Sequence, residues 1–161
     1  MKTTEELHQL LSETFGDETV TLKADEKVAP WIVVKPDRIP DIAKFLRDGD
    51  GLRFDSLMCL SGVHYLKENE LGVIYHLYST TEKHKLILKV IMPEHEAHLP
   101  SVEQIWKTAD WHEREAFDMF GIRFDGHPDH RRILCPDDWE GHPLRKDYQV
   151  QEFYRGMKVE Y

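Results

Sequence analysis

Cysteine is scarce in this chain: two residues among 161, Cys59 and Cys135, far apart and without a CxxC spacing. That excludes a cysteine-built iron–sulfur or zinc framework and fits a reducing compartment. Long apolar runs are missing too. None approaches the roughly 20 residues needed to cross a bilayer, and the first residues, MKTTEELHQLL, are too acidic for a signal peptide. Any membrane association is therefore expected to be peripheral. There is no glycine-rich phosphate loop, no HExxH and no G-x-S-x-G. Basic charge is also in deficit: 21 Lys and Arg against 30 Asp and Glu give a net charge of -9. A nucleic-acid partner would need a basic face, and none is visible.

What remains is ordinary globular material, 40% apolar and 32% charged, long enough for one domain with a real core. Residues 3–15 have the spacing of an amphipathic helix, capped by Thr3 or Thr4, with Leu7, Leu10, Leu11 and Phe15 on one face and Gly16 at its end. TVTLKA and WIVVKP predict a hairpin turning between Lys23 and Ala29. Pro40 opens a second helix that carries Ile39, Ile42, Ala43 and Leu46 on one side. SLMCLSGVHY, LGVIYHLYST and KLILKVIM, joined by short polar loops, predict an antiparallel meander. Ser101 with Gln104, and Asp110 with Glu113, have capping-box spacing, which predicts a short helix followed by one running to Gly121. The expected fold is α+β: a four- or five-stranded, mostly antiparallel sheet with helices on one face over residues 1–121. An extended, irregular arm over 122–161 follows.

A helical wheel of DWHEREAFDMFG puts Ala116, Phe117, Met119 and Phe120 on an apolar arc. Arg114, Glu115 and Asp118 fall opposite, with Arg114 and Asp118 as an i,i+4 pair. His112 and Glu113 fall inside the apolar arc, where an ionised carboxylate is costly unless paired. Glu113 is expected either to fold back as a cap on the Asp110 amide or to meet Arg131 or Arg132.

Ten histidines invite a metal. His95 and His98 lie in a loop, and His127 and His142 each precede proline, which marks them more simply as turn entries. Within residues 126–148 the cations are chosen selectively. Before residue 101 three of twelve Lys and Arg are arginine; after it six of nine are. Arginine suits planar, bidentate, half-buried contacts with carboxylates and is enriched at interfaces. With Trp139, Leu144 and Tyr148 spaced along it, the stretch reads as an arm ordered chiefly by a partner. Arg131, Arg132, Arg145 and Lys146 would meet carboxylates across that contact.

Several stretches together resemble the 30 kDa subunit family of NADH:quinone oxidoreductase, respiratory complex I. They are Glu113-Arg114-Glu115, Asp118-Met119-Phe120-Gly121-Ile122, Phe124, Gly126-His127-Pro128-Asp129, Arg131-Arg132-Ile133-Leu134 and His142-Pro143-Leu144-Arg145-Lys146-Asp147-Tyr148. The likeness is near-continuous over about 40 residues. His130 stands where a leucine is common, Gln149 where a proline is usual, and MPEHEAHLPS, though it keeps Pro93 and Pro100, lacks a further proline that the family leads one to expect. None of these departures touches the charged signature.

The resemblance implies a peripheral-arm subunit on the cytoplasmic side of the membrane, a polypeptide separate from the quinone-site subunit. It would dock on that large subunit and on the small subunit that bears the terminal iron–sulfur cluster. No cofactor is expected in this chain; iron–sulfur clusters, FMN and quinone would sit in partner subunits. The chain would be scaffold in a translocase that passes electrons from NADH, or an equivalent donor, to quinone. Membrane-bound hydrogenases, F420 dehydrogenases and ferredoxin-dependent complexes share such a subunit. An independent metal-dependent hydrolase is the alternative of another class.

Overall fold

A computed structural model describes residues 1–159. The first helix, α1 (Thr4–Phe15), begins where its cap predicts. Thr3 Oγ1 accepts the Glu6 amide, and the Glu6 carboxylate accepts the Thr3 amide at 2.8 Å. Leu7 and Leu11 are buried, and Gly16, at φ +89°, ends the helix. Strands β1 (Val20–Asp25) and β2 (Val28–Val34) form the expected hairpin. Its turn is tighter than the sequence suggests, because Asp25 accepts the Lys27 amide at 2.9 Å and closes it within two residues. A 3-10 turn at Pro36–Arg38 leads into α2 (Ile39–Asp48), whose Ile39, Ile42, Ala43 and Leu46 are buried. Each fully buried Leu or Ile contributes about 1.5–3 kcal/mol relative to exposure.

The meander is present as β3 (Ser56–Tyr65), β4 (Glu70–Tyr78) and β5 (Lys85–Pro93). β5 also pairs with β2 in parallel, Ile32 beside Leu88, so the five-stranded sheet is mixed, with order β1-β2-β5-β4-β3. Alternation sends Leu71, Val73, Tyr75 and Leu77 of β4 to one face, each opposite Met92, Val90, Leu88 and Leu86 of β5. These residues form one cluster with the apolar faces of α1 and α2.

After β5 the chain departs from expectation. No helix forms at 101–104; Ser101 Oγ accepts the Glu103 amide at 3.1 Å, and the Ile105 and Trp106 amides both donate to the Val102 carbonyl. This knot of turns leads into α3 (Ala109–Phe120), which Gly121 ends in the left-handed region at φ +78°. Two short strands, β6 (His98–Pro100) and β7 (Arg123–Asp125), pair in parallel, and β8 (Phe153–Tyr154) and β9 (Met157–Lys158) form a terminal hairpin. α3 packs on β3 from the helical side: a Cβ added to Gly62, which pairs with core-facing Val73, would lie 2.5 Å from the Phe120 ring. All three helices thus cover one face of the sheet. No helix among the described residues is long and apolar enough to cross a membrane.

Candidate functional site

The residues of the charged signature converge where the chain after Gly121 folds back along α3. Glu113 is fully buried. Its carboxylate accepts the Ser101 hydroxyl at 2.6 Å and the Val102 amide at 2.8 Å. Neither expectation for it holds. The Asp110 amide donates to the Lys107 carbonyl instead, and Arg131 and Arg132 are committed to Asp129 and Asp118. The β6–β7 pairing brings Ser101 beside the helix, with the Ser101 amide on the Asp125 carbonyl. Burial pushes the Glu113 carboxyl up to about 7, against the lowering effect of its two hydrogen bonds; Glu103 and Asp110 nearby add to the rise. Tyr75, also fully buried, carries a hydroxyl without a partner among the described residues. Its phenol is pushed well up by burial and then by Glu113.

Asp118 is the second centre. The wheel placed it with Arg114 on a solvated arc, but both are buried and they do not pair. The returning chain covers that arc. Asp118 Oδ1 accepts from Arg132 at 2.6 Å, and Oδ2 accepts the amides of Ile133, Leu134 and Cys135 at 3.1, 2.7 and 2.8 Å. Burial raises its carboxyl, yet these four donors outweigh that and hold it below the usual carboxylate range. Three backbone amides on one oxygen clamp the arm to the helix. Arg114 works in the opposite sense, donating to the carbonyls of Arg131 and Arg132 at 3.2 and 3.0 Å. Glu115 remains exposed, as the wheel has it.

Histidines complete the junction as hydrogen-bonding pieces. His127 accepts the Asp129 amide on Nδ1 and so donates from Nε2 to the Asp110 carbonyl at 3.1 Å, 3.9 Å from Glu113. His130 packs on Phe117 with ring centres 4.3 Å apart, and burial pushes its pKa down. His142 donates from Nδ1 to the Asp118 carbonyl and is likewise pushed down by burial. No group of three or more His, Cys, Asp or Glu side chains among the described residues is arranged to hold a metal.

Beyond the clamp, Arg132 also donates to the Trp139 and Gly141 carbonyls, both at 2.9 Å. Arg145 joins the Phe120 carbonyl to Glu94, and the Lys146 amide donates to buried His64 of β3 at 3.0 Å. The arginines expected to meet a partner's carboxylates each pair with one of this chain: Arg131 with Asp129, Arg132 with Asp118 and Arg145 with Glu94. Of the expected anchors, Trp139 donates to the Tyr148 hydroxyl at 3.1 Å, inside the arm, while Leu144 is 54% exposed. The sequence marks neither His64 nor Glu94 as part of this junction, and Ser101 only as a helix cap rather than a donor to Glu113. His64 had one legible signal, a histidine on the buried phase of a strand.

Two side chains stand out from this frame. Trp111, in the first turn of α3, is 69% exposed, and Leu134, held outward by the clamp, is 64% exposed. With His112, Glu115 and Ile133 they line a cleft of about 500 Å³. Trp is enriched among the anchors of protein contacts, and Leu134 beside it extends the exposed apolar patch.

Residues 32–154 match the model of a protein family described as "Respiratory-chain NADH dehydrogenase, 30 Kd subunit". An NADH-quinone oxidoreductase subunit of Chloroherpeton thalassium is 51% identical over 155 residues; the match covers 96% of this chain and 64% of that protein. The same subunit of Chlorobium phaeobacteroides is 48% identical, with 96% and 93% covered. Among solved structures, a trypsin-resistant fragment of Nqo5 matches with a TM-score of 0.62 at 27% identity, covering 76% of this chain and 98% of the fragment. A chain of the membrane-bound sulfane sulfur reductase, an archaeal respiratory membrane complex, matches with a TM-score of 0.73 at 25% identity, covering 90% and 85%.

Proposed function

The chain belongs to the 30 kDa subunit family of respiratory-chain NADH dehydrogenase, and we propose that it is a scaffold subunit of the peripheral arm of an NADH:quinone oxidoreductase. In this reading it holds no redox centre and contributes no catalytic residue. Iron–sulfur clusters, FMN and quinone belong to its neighbours in a translocating enzyme. It docks on the large quinone-site subunit and the small subunit with the terminal cluster, on the cytoplasmic side of the membrane. The observation that carries this is the pairing of a rigid frame with exposed apolar anchors. Asp118, Arg114 and Arg132 fasten the arm from within, while Trp111 and Leu134 are displayed to solvent beside it. A site built for chemistry would instead gather its polar groups in a cavity.

Affinity purification of a tagged chain from its own membranes tests the reading. The chain should arrive with the quinone-site and iron–sulfur subunits, and Trp111→Ala should lower that recovery without unfolding the free chain. A hot-spot aromatic is worth about 2 kcal/mol or more. A chain that arrives alone, or with its own flavin or iron–sulfur spectrum, overturns it. A second reading, a related respiratory membrane complex with a different donor, draws on the likeness to the archaeal reductase. NADH oxidation by the purified assembly separates the two.

A further inference from the structure

Among the described residues no helix packs on the sheet face turned away from α1, α2 and α3, and its composition is not that of a surface meeting water alone. By strand alternation Val33 of β2, Ile74 of β4 and Ile87 and Ile91 of β5 point to this side. All four are half-buried and none belongs to the core cluster. An antiparallel face that meets only solvent ordinarily alternates to polar residues; a contiguous apolar one marks an interaction surface.

Charge says what kind. In a chain of net charge -9, this face carries Lys23, Lys85 and Lys89, while Glu70 stands at its margin on the first residue of β4. Lys89 Nζ lies 4.5 Å from the Trp31 ring centre and 5.8 Å from that of Tyr65. Among the described residues none of the three lysines forms an ion pair. The arm spends its arginines on carboxylates of its own chain; these lysines are left with aromatic faces and solvent. At one end of the face, beside Lys85, a cleft of about 480 Å³ opens between Pro30, Met58 and Ile87, with Met58 57% exposed.

We propose that this face docks an acidic, apolar segment of a partner protein. Its carboxylates would pair with Lys23, Lys85 and Lys89, and its aliphatic side chains would cover Ile74, Ile87 and Ile91 and enter the cleft. The surface is distinct from the Trp111–Leu134 patch, which lies on the helical side. The inference rests on the reading that the chain works inside an assembly. A second copy of this chain is a poor occupant, since a two-fold contact would set the lysine-bearing face against itself and like charges repel.

The test compares the free chain with the native complex. Amine acetylation followed by mass spectrometry should modify all three lysines in the free chain and protect at least Lys85 and Lys89 in the complex. Carbodiimide coupling joins amines only to carboxylates in contact, and in the complex it should link Lys85 or Lys89 to acidic residues of another subunit. Lys89→Glu should reduce incorporation by about tenfold, and Lys89→Gln by less. Full reactivity of the lysines in a complex that contains the chain overturns the docking surface and leaves the scaffold reading standing. Links only to another copy of the same chain, with a dimer by sedimentation, overturn the acidic partner. A chain found in no complex overturns both.

Discussion

Arg132 Nη1 donates to Asp118 Oδ1 at 2.6 Å across 14 residues of sequence, with the Asp118 side chain fully buried. Two charges withdrawn from water repay their desolvation only if the remaining donors and acceptors are satisfied. Here they are. The other Asp118 oxygen takes three backbone amides, and the guanidinium reaches the carbonyls of Asp118, Trp139 and Gly141. A segment with few apolar side chains is thereby given a fixed path, and that path turns Leu134 outward.

Removing the centre of this clamp should release the arm. Asp118→Ala leaves Arg132 and three amides without their acceptor, and one-sided loss of a buried pair costs on the order of 3–5 kcal/mol. Amide exchange should accelerate at residues 133–135 while the β3–β5 meander keeps its protection. Uniform acceleration throughout would mean that the clamp supports the whole domain.

Glu113 should make stability depend on pH in an unusual direction for a carboxylate. Its folded pKa, about 7, lies above its ordinary value of 4.5, so the native state holds the proton more tightly than the unfolded chain does. The advantage is complete below about pH 4.5 and is lost as pH rises through 7. The full difference is roughly 3 kcal/mol. Glu113→Gln keeps the shape without the charge, and denaturation midpoints of that variant should be flatter between pH 4.5 and 7.5 than those of the wild type. Equal pH dependence in both proteins would place the titration elsewhere.

Much of the fold is legible from periodicity. α1, the β1–β2 hairpin, α2 and the meander all lie close to where the sequence puts them, because each is local and its caps and turns are written in adjacent residues. The junction is legible only in part. Glu113 announces itself as a carboxylate on an apolar arc, but its donors, Ser101 and Val102, reach it through the β6–β7 pairing, which no periodicity marks. Asp118 misleads for a related reason. A helical wheel assigns the arc opposite the core to water, and here that arc lies under a chain with no regular structure of its own. The parallel β2–β5 contact is also hidden, since it joins strands separated by α2 and two further strands.

Arg132 should tolerate lysine poorly. It makes its contacts through two terminal nitrogens held in one plane, reaching Asp118, Trp139 and Gly141 together. A lysine ammonium is a compact point donor that keeps the charge but loses this fork. Arg132→Lys should therefore lose the hydrogen bonds to the Trp139 and Gly141 carbonyls, which lie near solvent, at about 0.5–1.5 kcal/mol for each. Trypsin should cut the variant at Arg145 or Lys146 faster than the wild type. Unchanged proteolysis would show that charge alone suffices.

The seat of α3 on the sheet depends on one missing side chain. Gly62 of β3 lies under Phe120, and a Cβ there would stand 2.5 Å from Cδ2 of the ring, closer than carbon atoms pack. The ring cannot simply withdraw, because the Phe120 carbonyl accepts from Arg145 at 2.6 Å and the next residue, Gly121, turns the chain into the arm. Gly62→Ala should cost about 1–3 kcal/mol, the usual range for overpacking. If the clash is the cause, Phe120→Leu in the same chain should return part of that loss, and a double-mutant cycle should give a coupling of at least about 0.5 kcal/mol. Strictly additive effects would mean that Gly62 is required for the strand rather than for the ring above it.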